Sequence, residues 1–342
     1  MPQAAMDEKQ LAGTYKKFSK GPLTWLGYHL DEKLPSRFGQ NLLRALRVCE
    51  DHTPGNGARL AKELAHIPYV ATKDDPVAAE ERFEELIQKL AEILVARTIS
   101  SIDWDDGAKI LIEPRNPVTK GRPDFAVETA EHTYLFEVKC PSFLKHNRTR
   151  SRNGIQLPVR SPLGLRSDMQ GEDVTKPRDY TVKQFLESAD KKFRSYSQKP
   201  TTGVLALVWE ENMYEAVGVL THPEVGLLTP KSWAAVGGVR QAFAAVDYVL
   251  IISRLTDISQ GTQNAFRSRE SDPFTIERDP VLPTAWCTNL GKDDPEDRIA
   301  AAFGAWPHDG LSIACEYSPM EVIMWIGAGG AAKNDGVEDE QE

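Results

Sequence analysis

The stretch GRPDFAVETAEHTYLFEVKC, residues 121–140, decides the fold. Phe125 and Val127, then Tyr134, Phe136 and Val138, recur at every second position. That is the period of a β-strand, whose side chains alternate between two faces. Asp124, Glu128, Glu137 and Lys139 fall on the opposite set, with Ala126, Thr133 and Leu135. Pairing 124–129 with 133–139 across a turn at AEH therefore separates an apolar face from one that carries charge. With Thr129 opposite Tyr134, Asp124 is expected opposite Lys139 and diagonal to Glu137. Such cross-strand neighbours stand ~4.5–8 Å apart. Two carboxylates and an ammonium, remote in sequence, converge at one end of a hairpin.

Two adjacent carboxylates repel, and one takes up a proton unless a cation offsets the charge. Mg²⁺ is such a cation: it prefers hard oxygen ligands and takes few of them from a protein. Asp124 and Glu137 offer two, and the Val138 carbonyl between Glu137 and Lys139 a third. A divalent ion in that position activates water, and Lys139 can orient the water or offset charge building on a phosphate. The combination suits hydrolysis of a phosphodiester.

Upstream, DDPVAAEERFEELIQKLAEILVART, 74–98, reads as one long helix. Asp75 can cap it, Pro76 suits its first turn, and Glu80, Glu81, Glu84 and Glu85 complement its positive end. Phe83, Leu86, Ile87, Leu90, Ile93 and Leu94 form its buried stripe. AKILIEP, 108–114, suits a strand. Residues 141–180 are rich in Pro, Gly, Ser and Arg and lack a period, which predicts a long loop. It holds eight basic against four acidic residues in a chain whose net charge is −9. TVKQFLESADKKFRSYS, 181–197, then reads as a helix, and GVLALVW, 203–209, as a central strand.

Helix, strand, strand, strand, helix, strand, spanning roughly 76–209, with Pro123-Asp124 and then Glu137-x-Lys139, resembles the PD-(D/E)XK nuclease superfamily, the restriction-endonuclease-like fold. The resemblance implies an α/β protein with an αβββαβ core, a mixed central sheet flanked by helices. It implies that Asp124 and Glu137 bind Mg²⁺ (Mn²⁺ may substitute), that the Val138 carbonyl joins them, and that Lys139 serves catalysis. A Glu on the preceding helix often completes such sites. On a helical wheel Glu80 borders the buried stripe and is preferred, Glu84 lies further round, and Glu81, Glu85 and Glu92 point away. Some branches carry Gln and Tyr four residues apart on the helix after the third strand. Gln184 fits the first position, but residue 188 is Ser, and Gln184 faces away from the apolar stripe. Lys145, Arg148, Arg150 and Arg152 in the basic insertion would grip phosphates. The implied activity is a metal-dependent nuclease, with DNA favoured over RNA, acting in restriction, phage defence or repair. A duplex cutter of this kind would often be a homodimer. The alternatives are a non-cleaving nucleic-acid-binding subunit on the same fold and a structural or protein-interaction domain.

The remaining observations bound these expectations. The chain has 342 residues, 41% hydrophobic and 27% charged, as expected of a soluble globular protein. No apolar run approaches the ~20 residues of a membrane span, and the N-terminus has no apolar leader, so a cytoplasmic location is expected. Cys49, Cys140, Cys287 and Cys315 form no CxxC pair, the histidines form no HxH or HExxH pair, and Gly55-Asn56-Gly57 lacks the third glycine of a dinucleotide loop. The expected organisation is an N-terminal helical extension over 1–75, the core over 76–255 with its insertion at 141–180, a C-terminal extension over 256–330 and a disordered acidic tail over 331–342. Within the flanks, 1–20 reads as a loose polar arm. Helices are expected near 36–50, 57–66, 231–243 and in 294–306, and strands at 247–253 and 320–326.

Overall fold

The structure, a computed structural model, describes residues 5–19, 24–30, 35–67, 76–142, 144, 146, 155–156, 174–175, 177–210, 213–263, 271–278, 283–310 and 325–326. The chain opens with a helix, α1 (Glu8–Phe18), where a loose arm is expected from sequence. Its start is a capping box. The Asp7 side chain accepts the Gln10 N–H at 2.8 Å, and the Gln10 side chain accepts the Asp7 N–H at 2.8 Å. Leu11, Ala12 and Tyr15 bury the inner side. A short α2 (Trp25–His29) leads to α3 (Arg37–His52) and α4 (Asn56–Ala65), near the expected positions. Buried Glu50 joins these helices, accepting the N–H groups of Gly55 at 2.9 Å and Ala58 at 3.1 Å. The long helix α5 (Pro76–Ser100) follows.

Seven strands form one sheet whose spatial order is their chain order: β1 (Lys109–Ile112), β2 (Phe125–Glu128), β3 (Thr133–Lys139), β4 (Thr201–Val208), β5 (Tyr248–Ile252), β6 (Thr284–Thr288) and β7 (Ala305–Pro307). The first three are antiparallel, β3, β4 and β5 run parallel, β6 is antiparallel to β5, and β7 is parallel to β6. The parallel step from β3 to β4 is made by α6 (Asp179–Phe193), the crossover that such a pair requires. Further helices among the described residues are α7 (Tyr214–Thr221), α8 (Leu255–Gly261) and α9 (Asp297–Ala302).

The alternation of the hairpin is as expected from sequence. Phe125, Val127, Tyr134, Phe136 and Val138 share a core with the α5 stripe and with α1, α3 and α4. Ala126 and Leu135 face the other way and pack with Val182, Leu186, Ala189 and Phe193 of α6 and with α7. The charge-bearing face is thus covered too, and its charged groups sit at the rim of a second core.

One expected helix is corrected. No helix occupies 231–243. Ala235–Val236 and Val239–Arg240 form a small antiparallel pair, turned by Gly237 and Gly238 at φ +58° and +80°. Two successive left-handed positions suit a hairpin turn and break a helix. The helix comes earlier, as α7. The sheet continues past 255, where β6 and β7 extend it beyond β5. Of the strand expected at 320–326, Trp325–Ile326 is described, paired with Ile155–Gln156. The tail lies outside the described residues. Among the described residues no helix is long and apolar enough to cross a membrane.

Candidate active site

The hairpin register differs from the expected one by two residues. Phe125 pairs with Phe136, Val127 with Tyr134 and Glu128 with Thr133. Thr129 belongs to the turn, not the strand. Its N–H donates to the His132 carbonyl at 3.0 Å, and its Oγ1 accepts the His132 N–H at 3.0 Å. An even slip keeps every side chain on its face. It changes what stands opposite Asp124. One step past Phe125, the register sets Asp124 across from Glu137 rather than Lys139. Asp124 Oδ2 accepts the Val138 N–H at 2.7 Å.

Glu137 is 0% exposed. Lys139 Nζ reaches its Oε1 at 2.6 Å, and Lys192 Nζ from α6 reaches the same oxygen at 2.5 Å. Oε2 is buried with no hydrogen-bond partner. Lys192 has no place in the sequence pattern, and its position is fixed from outside α6. Asn116, wholly buried in the loop between β1 and β2, donates Nδ2 to the carbonyls of Lys192 at 2.8 Å and Arg194 at 2.9 Å. Its Oδ1 accepts the N–H groups of Val118 at 2.8 Å and Thr119 at 3.0 Å. Gly121 lets this loop lie against the helix, since a Cβ there would stand 3.1 Å from Lys192 Cα. Asn116→Ala strips the cap from the end of α6 and is expected to cost about 1.5 kcal/mol, read as a lower midpoint in urea unfolding.

The α5 carboxylate whose charge reaches Asp124 is Glu92; Glu80, the one expected from sequence, lies further back on the helix. A wheel set by the apolar stripe of α5 alone turns Glu92 away from the core. The structure shows a second, polar stripe at four-residue spacing that follows the chain as it leaves β3. Glu84 accepts from Ser142 Oγ at 2.7 Å and from the Leu144 N–H at 3.2 Å. Gln88 donates to the Val138 carbonyl at 3.1 Å and accepts the Cys140 N–H at 2.9 Å. Glu92, the next member, lies close enough to Asp124 for their charges to interact. Glu80 is twelve residues earlier on the same helix, ~18 Å along its axis, too far to share that position. Glu84 serves the segment after β3, and Gln184 is exposed on α6. Lys145, Arg148, Arg150 and Arg152 lie outside the described residues.

The electrostatics mark the same cluster. Burial, then the charge of Glu137, pushes the Asp124 carboxyl up to about 6. Burial and then Asp124 raise Glu92, despite Lys89 Nζ at 2.5 Å from its Oε2. Burial disfavours the Lys139 ammonium, but Glu137, Asp124 and Glu92 outweigh it and hold the group above its ordinary value. Cys140 is no rival nucleophile, because burial raises its thiol.

The donor set fits a hard divalent cation in part. Among the described residues no three His, Cys, Asp or Glu side chains stand together as a metal-binding group. Asp124 and Glu137 are nonetheless adjacent hard carboxylates, and Glu137 Oε2 is a buried acceptor with no hydrogen-bond partner, an oxygen of the type that such a cation takes. The Val138 carbonyl already accepts from Gln88 at 3.1 Å. In comparisons with known proteins, no family model, no curated protein and no solved structure matches the chain.

Proposed function

We propose that this protein is a divalent-metal-dependent nuclease on a restriction-endonuclease-like core, hydrolysing phosphodiester bonds, with DNA as the favoured substrate. The observation that supports this most is the placement of Asp124 directly across from Glu137, with Lys139 on Glu137 and the charge of Glu92 beside Asp124. Asp124, Glu137 and the Val138 carbonyl would hold Mg²⁺ or Mn²⁺, which when bound supplies Lewis-acid activation of water and of the phosphate. The residues of the chain do the rest. Lys139 presents an ammonium at the mouth of the site, 23% exposed, where it can neutralise a phosphate oxygen and orient the attacking water. Glu92, its carboxyl raised by burial and by Asp124, is suited to exchange a proton with that water. Gln88 holds the end of β3 against α5 and so keeps Val138 and Lys139 in place.

One observation favours a non-cleaving module instead. Two lysines already compensate Glu137, so the site is charge-balanced without metal. The two readings separate in one assay. The protein is incubated with single- and double-stranded DNA and RNA in Mg²⁺ or Mn²⁺, and in chelator. Cleavage is expected with metal only, and Lys139→Met is expected to slow it ~10²-fold. Binding of nucleic acid with no cleavage of any substrate would establish the non-cleaving module. Cleavage at the wild-type rate by Lys139→Met would remove the lysine from the mechanism.

A further inference from the structure

The pairing of Lys192 with Glu137 is not required by the Asp124, Glu137 and Lys139 set, and it has a consequence for the metal. Two ammonium groups converge on one carboxylate oxygen, while the second oxygen of that carboxylate is left without a partner. The two lysines come from different elements. Lys139 stands two residues from Glu137 on the same strand and the same face. Lys192 comes from α6, its backbone pinned by Asn116. Both side chains keep a route to solvent, at 23% and 24% exposed, but the proposed mechanism gives Lys139 a role and Lys192 none. The charge of Lys192 also acts on Asp124, opposing the rise that burial and Glu137 impose on that carboxyl.

We propose that Lys192 is the resident counter-ion of the metal position, holding Glu137 in the metal-free protein and releasing it when a divalent cation binds. This rests on the metal-dependent reading above. A dication at Glu137 repels an ammonium on the same carboxylate, so the two compete, and the coupling is reciprocal: what Lys192 costs the metal, the metal costs the Lys192–Glu137 pair. The lysine thereby sets a threshold of metal concentration. Below it the site keeps a closed ion pair, and above it a second ammonium is freed beside Asp124, within reach of a phosphate.

The test is Mn²⁺ titration by calorimetry on the full chain, without nucleic acid. Lys192→Met removes the competitor while keeping the stem, and is expected to bind Mn²⁺ about tenfold more tightly than wild type, a shift of one decade in Kd. Lys192→Arg keeps the charge and is expected to match wild type. Equal or weaker binding by Lys192→Met would overturn the inference. Amine labelling of the wild-type protein, read by mass spectrometry, needs no variant. Reactivity of Lys192 is expected to rise several-fold on adding Mg²⁺, and an unchanged or lower reactivity would count against release. Asp124→Asn separates this inference from the reading beneath it. Mn²⁺ binding lost in Asp124→Asn but unaltered in Lys192→Met leaves the metal site standing and removes the counter-ion. If wild type binds no Mn²⁺, both fall together.

Discussion

Glu137→Gln is expected to lower metal-dependent cleavage ~10³-fold or more, the largest effect of any single substitution in this protein. The side chain lies at the junction of every proposed role. Its Oε2 is the buried acceptor without a partner, its Oε1 holds Lys139 and Lys192, and its strand position faces Asp124. Glutamine keeps the shape and one carbonyl oxygen but removes the charge. A neutral amide cannot compensate two ammonium groups, and it is a poor ligand for a hard dication. Stability should fall as well, by about 2 kcal/mol, less than for a fully buried pair because both lysines retain contact with solvent. The two effects separate by measurement. Unfolding in urea reports the second, and cleavage assayed where the variant remains folded reports the first. Cleavage within tenfold of wild type by the folded variant would remove Glu137 from the reaction centre.

The central part of this arrangement was legible in residues 121–140. The alternation of Phe125, Val127, Tyr134, Phe136 and Val138 assigned the two faces correctly, because a strand period does not depend on which partner it meets. The register depends on the turn, and residue types alone do not show that the turn begins at Thr129. Thr129 is as good a strand residue as any, and its role as the hydrogen-bonding corner of a four-residue loop is visible only once His132 is placed beside it. The error was even, so the faces survived and only the opposing pair changed. Glu92 was missed for a related reason. A helical wheel built on apolar residues locates the core, whereas Glu84, Gln88 and Glu92 mark a polar edge that follows the chain leaving β3, a contact between elements far apart in sequence. Lys192 was less legible still. ADKKF reads as the solvated end of a helix, and only the capping of Lys192 and Arg194 by Asn116 brings its ammonium to Glu137. At 231–243 the difference is of another kind: Gly237-Gly238 in the middle of the expected helix is itself a turn signal.

Asp124→Asn should stabilise the metal-free protein at neutral pH and reverse that order when metal is added. Asparagine is nearly the same size, and its Oδ1 can keep the hydrogen bond from the Val138 N–H now made to the carboxylate at 2.7 Å. What it removes is a charge that burial and Glu137 disfavour. The carboxyl stands at about 6 in the folded protein against an ordinary 3.8. Between those two values the folded chain holds a proton that the unfolded chain has released, so stability is lost as pH rises through the window and stays lost above it. At pH 7–8 in chelator the cost of the charge is about 2–3 kcal/mol, and Asp124→Asn is expected to exceed wild type by about that amount. Lowering the pH towards 4 protonates Asp124 and should close the gap. Saturating Mg²⁺ or Mn²⁺ acts on the wild type alone, because binding to the folded state stabilises it by about 4.1 kcal/mol at a thousandfold excess over Kd, more than the cost of the charge. The difference between the two proteins then changes sign. Urea unfolding at pH 4.5 and 7.5, with chelator and with metal, checks each arm. A variant less stable than wild type under every condition would make Asp124 a structural acceptor for Val138, and an order that metal leaves unchanged would place any bound cation elsewhere. A carboxylate held at a cost in the empty protein and rewarded by a cation is what a metal site requires, and the dependence on both pH and metal is the signature that an ordinary surface ion pair lacks.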